Sequence, residues 1–535
     1  MEKQRIFKDS IIQYDKDAQN NVINAILAVT ELVKSSLGPF GMRKMIIEKY
    51  GTVIISNDGL TILKNLDISH PATDSVIQLG KSFVNHVGDG LKTTLIIIGE
   101  LLKRGLNLIQ KNIHPRQIIS GYNQALERSI KKLKTITIPI DRDNKDLLKK
   151  IATNALNGKF SDKVIEHLSV IAVQAIQNII VEKSNYIEIS IDDNIQFEKV
   201  DGGGILDSQI MKGVLISKEI LNPKMPKFVK NAKIALINEK LYFEKPTEED
   251  LKVEINILDP ESLSEMNFAQ NKLLQKKFIA IANSGTNVVI TEKGIDKIII
   301  SRLVEQGILG IRRAKPEQFK MLSKACGANI IGNVEDLTSE DLGFAETVQE
   351  KIVGNKKFVF IEGCKDPKSI SILIRGGSWY VCEEVERLLK NAILSVVQVF
   401  KNGSQGIVGG GGSIEMEIAY TIKEFAKTIE GKEQLAVKEY GDALEIIPNI
   451  LAKNFGLDPI DTLAELRYQH SQGEMWKGIN SNTLKIDNTI NCDIIEPLFN
   501  KISVLKYATE FVNSILSIDG ILFSKSGLEK IKENP

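Results

Sequence analysis

The sequence is short of cysteine and histidine, has no excess of charge and contains no long apolar run, and each shortage removes a class of function. Its 535 residues include only Cys326, Cys364, Cys382 and Cys492 as thiols. No pair of them has metal-ligand or redox spacing, and so few in so long a chain make no disulfide framework. A reducing, cytoplasmic setting is expected. His70, His86, His114, His167 and His470 form no His-x-x-x-His pair, which removes the common helical zinc motif. The 69 basic and 68 acidic residues nearly cancel, leaving no electrostatic footprint for nucleic acid or an anionic membrane. No run reaches the roughly 18 apolar residues of a membrane span, and residues 1–9 lack the apolar core of a signal peptide. Neither nucleic acid nor membrane is an expected partner.

What is present is a hydrophobic content of 43% with 26% charged residues, ordinary for a soluble chain, and length enough for about three or four domains. The spacing of Val22, Ile23, Ile26, Leu27, Val29, Leu32 and Val33 predicts a helix that stops at Leu37-Gly38-Pro39. Residues 44–48 and 52–56 read as a strand pair, followed by Asn57-Asp58-Gly59 where strand gives way to helix. That tripeptide fits a phosphate or metal ligand and a plain turn equally.

A helix over 70–88 leads to Gly88-Asp89-Gly90-Leu91-Lys92-Thr93-Thr94, with an apolar helix beginning there. Glycines flanking an aspartate, then hydroxyls at a helix start, suit a backbone wrapped around phosphate with a carboxylate for a divalent cation. A solvated capping turn has the same composition. A Walker A loop does not fit, because a helix precedes instead of a strand and Leu91 stands where Gly should precede Lys. Later segments predict helices over 116–133, 147–157, 161–180, 433–453, 459–470 and 503–516, and a long one ending at Phe400. Residues 210–355 mix short strands and helices as an α/β module. Gly202 to Gly204 read as a hinge, and Val408 to Gly412 as a second glycine loop opening a helix.

Leu37-Gly-Pro-Phe-Gly-Met42, Asn57-Asp-Gly-Leu-Thr-Ile-Leu63, Gly88-Asp-Gly90, Val408-Gly-Gly-Gly-Gly412, Ala443-Leu-Glu-Ile-Ile-Pro448, Trp476-Lys-Gly-Ile-Asn480 and Ala508-Thr-Glu510 together resemble, in order, the signature segments of group II chaperonins. Asp17-Ala-Gln19 and Ser284-Gly-Thr-Asn-Val-Val289 are similar to archaeal thermosome subunits, whereas Glu415-Met-Glu417 and Gly431-Lys-Glu-Gln-Leu435 are similar to the eukaryotic eta subunit. The resemblance implies a multidomain α+β chaperonin fold. Residues 1–143 and 401–535 make an equatorial ATP-binding domain, 144–211 and 357–400 an intermediate domain, and 212–356 an apical domain with a lid protrusion at 238–270. It implies a double ring of homologous subunits, a hetero-oligomer, that folds unfolded polypeptides in an ATP-gated cavity.

The same resemblance assigns ATP and Mg2+ as cofactors. Leu37, Gly38 and Pro39 lie against the nucleotide; Gly88, Gly90, Lys92, Thr93 and Thr94 belong to the phosphate loop; Asp89 ligands magnesium. Gly410 and Gly411 approach the nucleoside, Asp487 meets the ribose, Lys159 senses the terminal phosphate, and Asp58 assists hydrolysis. Two departures stand out. The family's Gly-Asp-Gly-Thr-Thr is Gly88-Asp-Gly90-Leu91-Lys92 here, and its catalytic aspartate is Asn391, which is neutral and a poor proton acceptor. Weak hydrolysis with nucleotide binding is therefore expected, and the alternative is a non-hydrolysing structural or regulatory subunit.

Overall fold

The computed structural model describes residues 10–14, 16–47, 53–66, 71–140, 144–179, 181–183, 186–188, 191–243, 260–364, 369–400 and 406–524. The chain is α+β and folds into two compact units, residues 1–173 with 388–535, and residues 174–387.

The first unit is helical and is built around Leu91–Gln110. This helix is apolar on nearly every side, with Leu95, Ile96, Ile97, Ile98, Leu101 and Leu102 all fully enclosed, so it must be surrounded. Lys16–Lys34, Glu433–Leu444 and Leu498–Leu516 pack against it. Gly99 is needed for one approach, because a Cβ there would lie 2.4 Å from Thr30 Oγ1. Two polar groups inside the bundle are paired: Tyr122 donates to the Leu101 carbonyl at 3.0 Å, and Arg104 bridges Glu100 at 2.9 Å and Glu439 at 2.6 Å. Chain ends meet here as well, with Ser10–Tyr14 antiparallel to Gly520–Ser524 and the Gln19 amide donating to the Leu516 carbonyl.

The segment read as one helix over 433–453 is two, Glu433–Leu444 and Ile446–Phe455. Pro448 has no N–H for the Leu444 carbonyl, so the ladder breaks there. The strand pair is present as Lys44–Ile47 with Val53–Ser56, and pairs Met45 with Ile55 and Ile47 with Val53 on one exposed face.

The second unit holds a nine-stranded sheet. Leu309–Ile311, Val288–Thr291 and Phe228–Ile237 run parallel, as a helical crossover requires, with Lys297–Glu305 between the first two. Gly343–Val353, Lys356–Cys364, Gln209–Ile216 and Ile370–Gly376 continue antiparallel, and Ile195–Asp201 pairs parallel at the edge. Gly202 and Gly203 turn with φ of +83° and +93°, which only glycine adopts without strain. The longest helix of this unit is Pro260–Asn283 among the described residues. Residues 244–259 of the expected protrusion lie outside the described residues.

Candidate functional site

A cavity of about 210 Å³ opens in the first unit at the N-terminus of Leu91–Gln110. The turn before that helix is shaped by two glycines, Gly88 at φ +93° and Gly90 at φ +107°. A Cβ on Gly88 would sit 2.6 Å from Leu394 Cβ, and one on Gly90 3.0 Å from Val504, so neighbouring helices press directly on this backbone. The first-turn N–H groups of a 20-residue helix have no partners in the helix, and the helix dipole adds positive potential there. Asp89, Gly90, Lys92 and Thr93 line the cavity. Thr94 does not; it is buried, and its hydroxyl bonds back to the Gly90 carbonyl at 3.1 Å. Leu91 likewise turns into the core, against Gly59 and Gly80.

Lys92 donates to the carbonyl oxygen of Ser36, tying the phosphate-loop helix to the Leu37-Gly38-Pro39 turn. That turn also lines the cavity and is held by Asn454, whose amide donates to the Lys34 and Leu37 carbonyls at 3.1 and 2.8 Å. Gly38 takes φ +80° beneath Leu451. Gly158 packs on Pro39 so closely that a Cβ would lie 2.3 Å from its carbonyl oxygen, which brings Asn157 and Lys159 to the cavity. The Lys159 ammonium donates to the Ala155 carbonyl at 2.8 Å.

The second glycine loop closes another side. Gly411 at φ +60° accepts a bond from the Ile479 N–H at 2.9 Å, and a Cβ on it would lie 2.5 Å from the Ile479 carbonyl oxygen. Gly411 and Gly412 line the cavity, while Gly410 stands one residue behind, its N–H donating to Ile494 at 2.8 Å. Leu451, Phe455 and Ile479 add an apolar wall.

The pattern reading missed the ionic floor. Lys501 is buried and bonds Glu415 at 2.6 Å and Glu496 at 3.0 Å, and all three line the cavity. Burial alone would lower the Lys501 pKa, but the two carboxylates outweigh that and hold its ammonium charged. Loss of water raises the Glu496 pKa; Lys501 opposes this, while Glu415 and Asp89 add to it. A signal for this cluster existed in the sequence. Lys501 follows Leu498 and Phe499 and precedes Ile502 and Val504, and a lysine among core positions requires a partner.

Other expected site residues fall elsewhere. Asp58 is the N-cap of Gly59–Lys64, accepting from the Thr61 N–H at 2.9 Å and its hydroxyl at 3.0 Å, and does not line the cavity. Asn391 is only 5% exposed and does not line the cavity; its backbone carbonyl lies 3.2 Å from where a Gly88 Cβ would be. Asp487 sits in the hairpin Lys477–Asn480 with Lys485–Asn488. Its carboxylate, held below its ordinary range by Thr483 and then Asn480, accepts from both, and it does not line the cavity.

No group of three or more His, Cys, Asp or Glu side chains among the described residues is arranged to hold a metal by itself. The donor set nonetheless suits magnesium, which keeps several waters and binds through one or two carboxylates plus phosphate. Asp89 is such a carboxylate. Ser395 Oγ, Glu415 Oε2 and Asn500 Oδ1, on residues lining the same cavity, are buried without a hydrogen-bond partner.

Among the described residues no helix is long and apolar enough to cross a membrane. Residues 29–526 match the model of the TCP-1/cpn60 chaperonin family. The chain is 42% identical over 517 residues to thermosome subunit alpha of Archaeoglobus fulgidus, covering 97% of this chain and 94% of that protein. It is 42% identical over 510 residues to a thermosome subunit of Methanopyrus kandleri, covering 95% and 92%. The solved open-state monomer of a group II chaperonin from Methanococcoides burtonii matches with a TM-score of 0.61 and 36% identity, over 81% of this chain and all of that one. Similarity over 97% of its length, together with the match of residues 29–526 to the family model, makes the chain a member of the TCP-1/cpn60 chaperonin family and a group II chaperonin subunit.

Proposed function

We propose that this chaperonin subunit binds ATP with magnesium in the cavity of its helical unit and turns it over slowly. The carrying observation is the convergence of Asp89, Gly90, Thr93 and Gly411 on one cavity at a helix N-terminus. The adenine ring takes the apolar wall of Leu451, Phe455 and Ile479, and the phosphates meet the N–H groups after Gly90. Bound magnesium neutralises phosphate charge, with Asp89 as its protein ligand. Asn391, in the helix against Gly88, orients water but cannot take its proton, a contribution worth about 10² to 10⁴ in rate.

The proposed domains are equatorial (1–143 and 401–535), intermediate (144–211 and 357–400) and apical (212–356). In cytoplasm the subunit joins homologous subunits in a double ring enclosing unfolded polypeptides. The exposed apolar face of Met45, Ile47, Val53 and Ile55 supports assembly, and exposed Phe268, Leu273 and Ile279 support polypeptide contact. A second reading, a non-hydrolysing subunit that completes a ring, is favoured by Asn391 alone. Purified subunit is tested by ATP titration, phosphate release and negative-stain imaging. Absence of ATP binding refutes the site; phosphate release as fast as that of a thermosome subunit refutes the impaired site; release at the background rate favours the second reading.

A further inference from the structure

Three oxygens on residues that line the cavity with Asp89 have no hydrogen-bond partner: Ser395 Oγ, Glu415 Oε2 and Asn500 Oδ1. Each belongs to a side chain at least nine-tenths buried, with relative exposures of 2%, 3% and 4%, and each residue lines the same cavity as Asp89. Their positions follow from contacts with the phosphate loop. Leu394, the neighbour of Ser395, presses on Gly88. Val504, one helical turn after Asn500, presses on Gly90. Glu415 shares the Lys501 ammonium with Glu496, whose carboxylate feels the charge of Asp89.

Buried acceptors without donors cost free energy and call for an explanation. Lys501 does not supply it, since its ammonium bonds the other Glu415 oxygen and Glu496 and reaches none of the three oxygens. A phosphate does not supply it to Glu415 Oε2 or Asn500 Oδ1 either, because phosphate oxygens accept and these two oxygens carry no proton to give. Waters on a divalent cation donate strongly, and magnesium held by a lone carboxylate and phosphate retains several of them. Outer acceptors of this kind orient a metal's ligands and tune its affinity.

We propose that Asn500, with Ser395 and the second oxygen of Glu415, receives the waters of the magnesium ion held at Asp89. Asn500 is then a positioning residue that sets metal affinity without touching the metal. This rests on the reading that Asp89 holds magnesium beside the nucleotide.

The test uses the full-length subunit loaded with ADP and Mn2+ as the probe, with free Mn2+ read by electron paramagnetic resonance and ADP binding measured separately in chelator. Asn500→Val and Ser395→Ala should each weaken Mn2+ binding by about tenfold or more. Asn500→Asp, which keeps the acceptor and adds charge, should tighten it and should give a larger Mn2+-induced rise in Tm than the wild type. A purely structural Asn500 would not produce that gain. Wild-type Mn2+ affinity in both Asn500→Val and Ser395→Ala overturns the proposal, as does unchanged affinity in Asn500→Asp. Wild-type protein that binds ADP but no Mn2+ overturns the metal reading and this inference together, leaving nucleotide binding intact. Wild-type protein that binds no ADP at all overturns the proposed function and, with it, the inference.

Discussion

Lys501 and Glu415 form an ion pair of 2.6 Å closed almost wholly to solvent, joining the Leu498–Leu516 helix to the helix after the second glycine loop. Breaking one side of a buried pair leaves an uncompensated charge and costs roughly 3 to 5 kcal/mol. Lys501→Met should lower unfolding stability by about that amount, measured by urea denaturation. Adding Glu415→Gln should recover part of it. Equal stability of Lys501→Met and wild type would mean the pair contributes nothing.

Gly411→Ala should damage the second loop. The added Cβ meets the Ile479 carbonyl at 2.5 Å in a left-handed conformation, with strain of about 1 to 3 kcal/mol. The loop must shift, breaking the 2.9 Å bond from the Ile479 N–H. Calorimetric ATP titration should show affinity reduced by about tenfold. Unchanged affinity would place the nucleotide away from this loop.

Asn391→Asp tests the catalytic departure. The helix that carries residue 391 packs on Gly88, and a carboxylate at 391 can accept a proton from water where an amide cannot, so steady-state phosphate release should rise by about 10² or more. The change also buries a charge at a site only 5% exposed, so a small loss of Tm is expected beside the gain in rate. If release does not rise, Asn391 is not what limits turnover.

Acid sensitivity should trace in part to Glu445. Burial pushes its pKa up, but bonds from Arg467 and from Lys423 at 2.6 Å outweigh this and hold it below its ordinary 4.5. A carboxyl depressed in the folded state contributes stability in full above its unfolded value, and loses it as pH falls through the lower folded value. Unfolding midpoints measured from neutral pH down through 4.5 should therefore fall less steeply for Glu445→Gln than for wild type. Parallel curves would rule out this contribution.

The helices and turns were readable because their causes are local. Pro459 and Asp458 start one helix with a proline at its first position and an aspartate cap at 2.7 Å from the Ile460 N–H, as their order in the chain predicts. Gly456, in a left-handed conformation, ends the helix before it. Pro448 was equally visible, yet its break was missed because apolar periodicity runs through it. The burial of Asn391 was not readable, because spacing on one helix cannot count neighbours arriving from other elements.

By itself the sequence determined the family signatures, the two glycine loops and their order, since each depends on which residues tolerate positive φ or a close backbone. Only the tertiary structure decided what those loops enclose. Lys501 meets Glu415 across 86 positions, Asn454 holds the Leu37 carbonyl across 417, and Lys92 reaches Ser36 across 56. Such contacts arise when separate helices bury their apolar faces together, and no local preference specifies which polar groups are then left opposite one another. The phosphate loop could be recognised from seven consecutive residues, 88–94. Lys501 in its ionic floor and the partnerless Asn500 oxygen are at the cavity because Leu498–Leu516 packs against the helix that begins there.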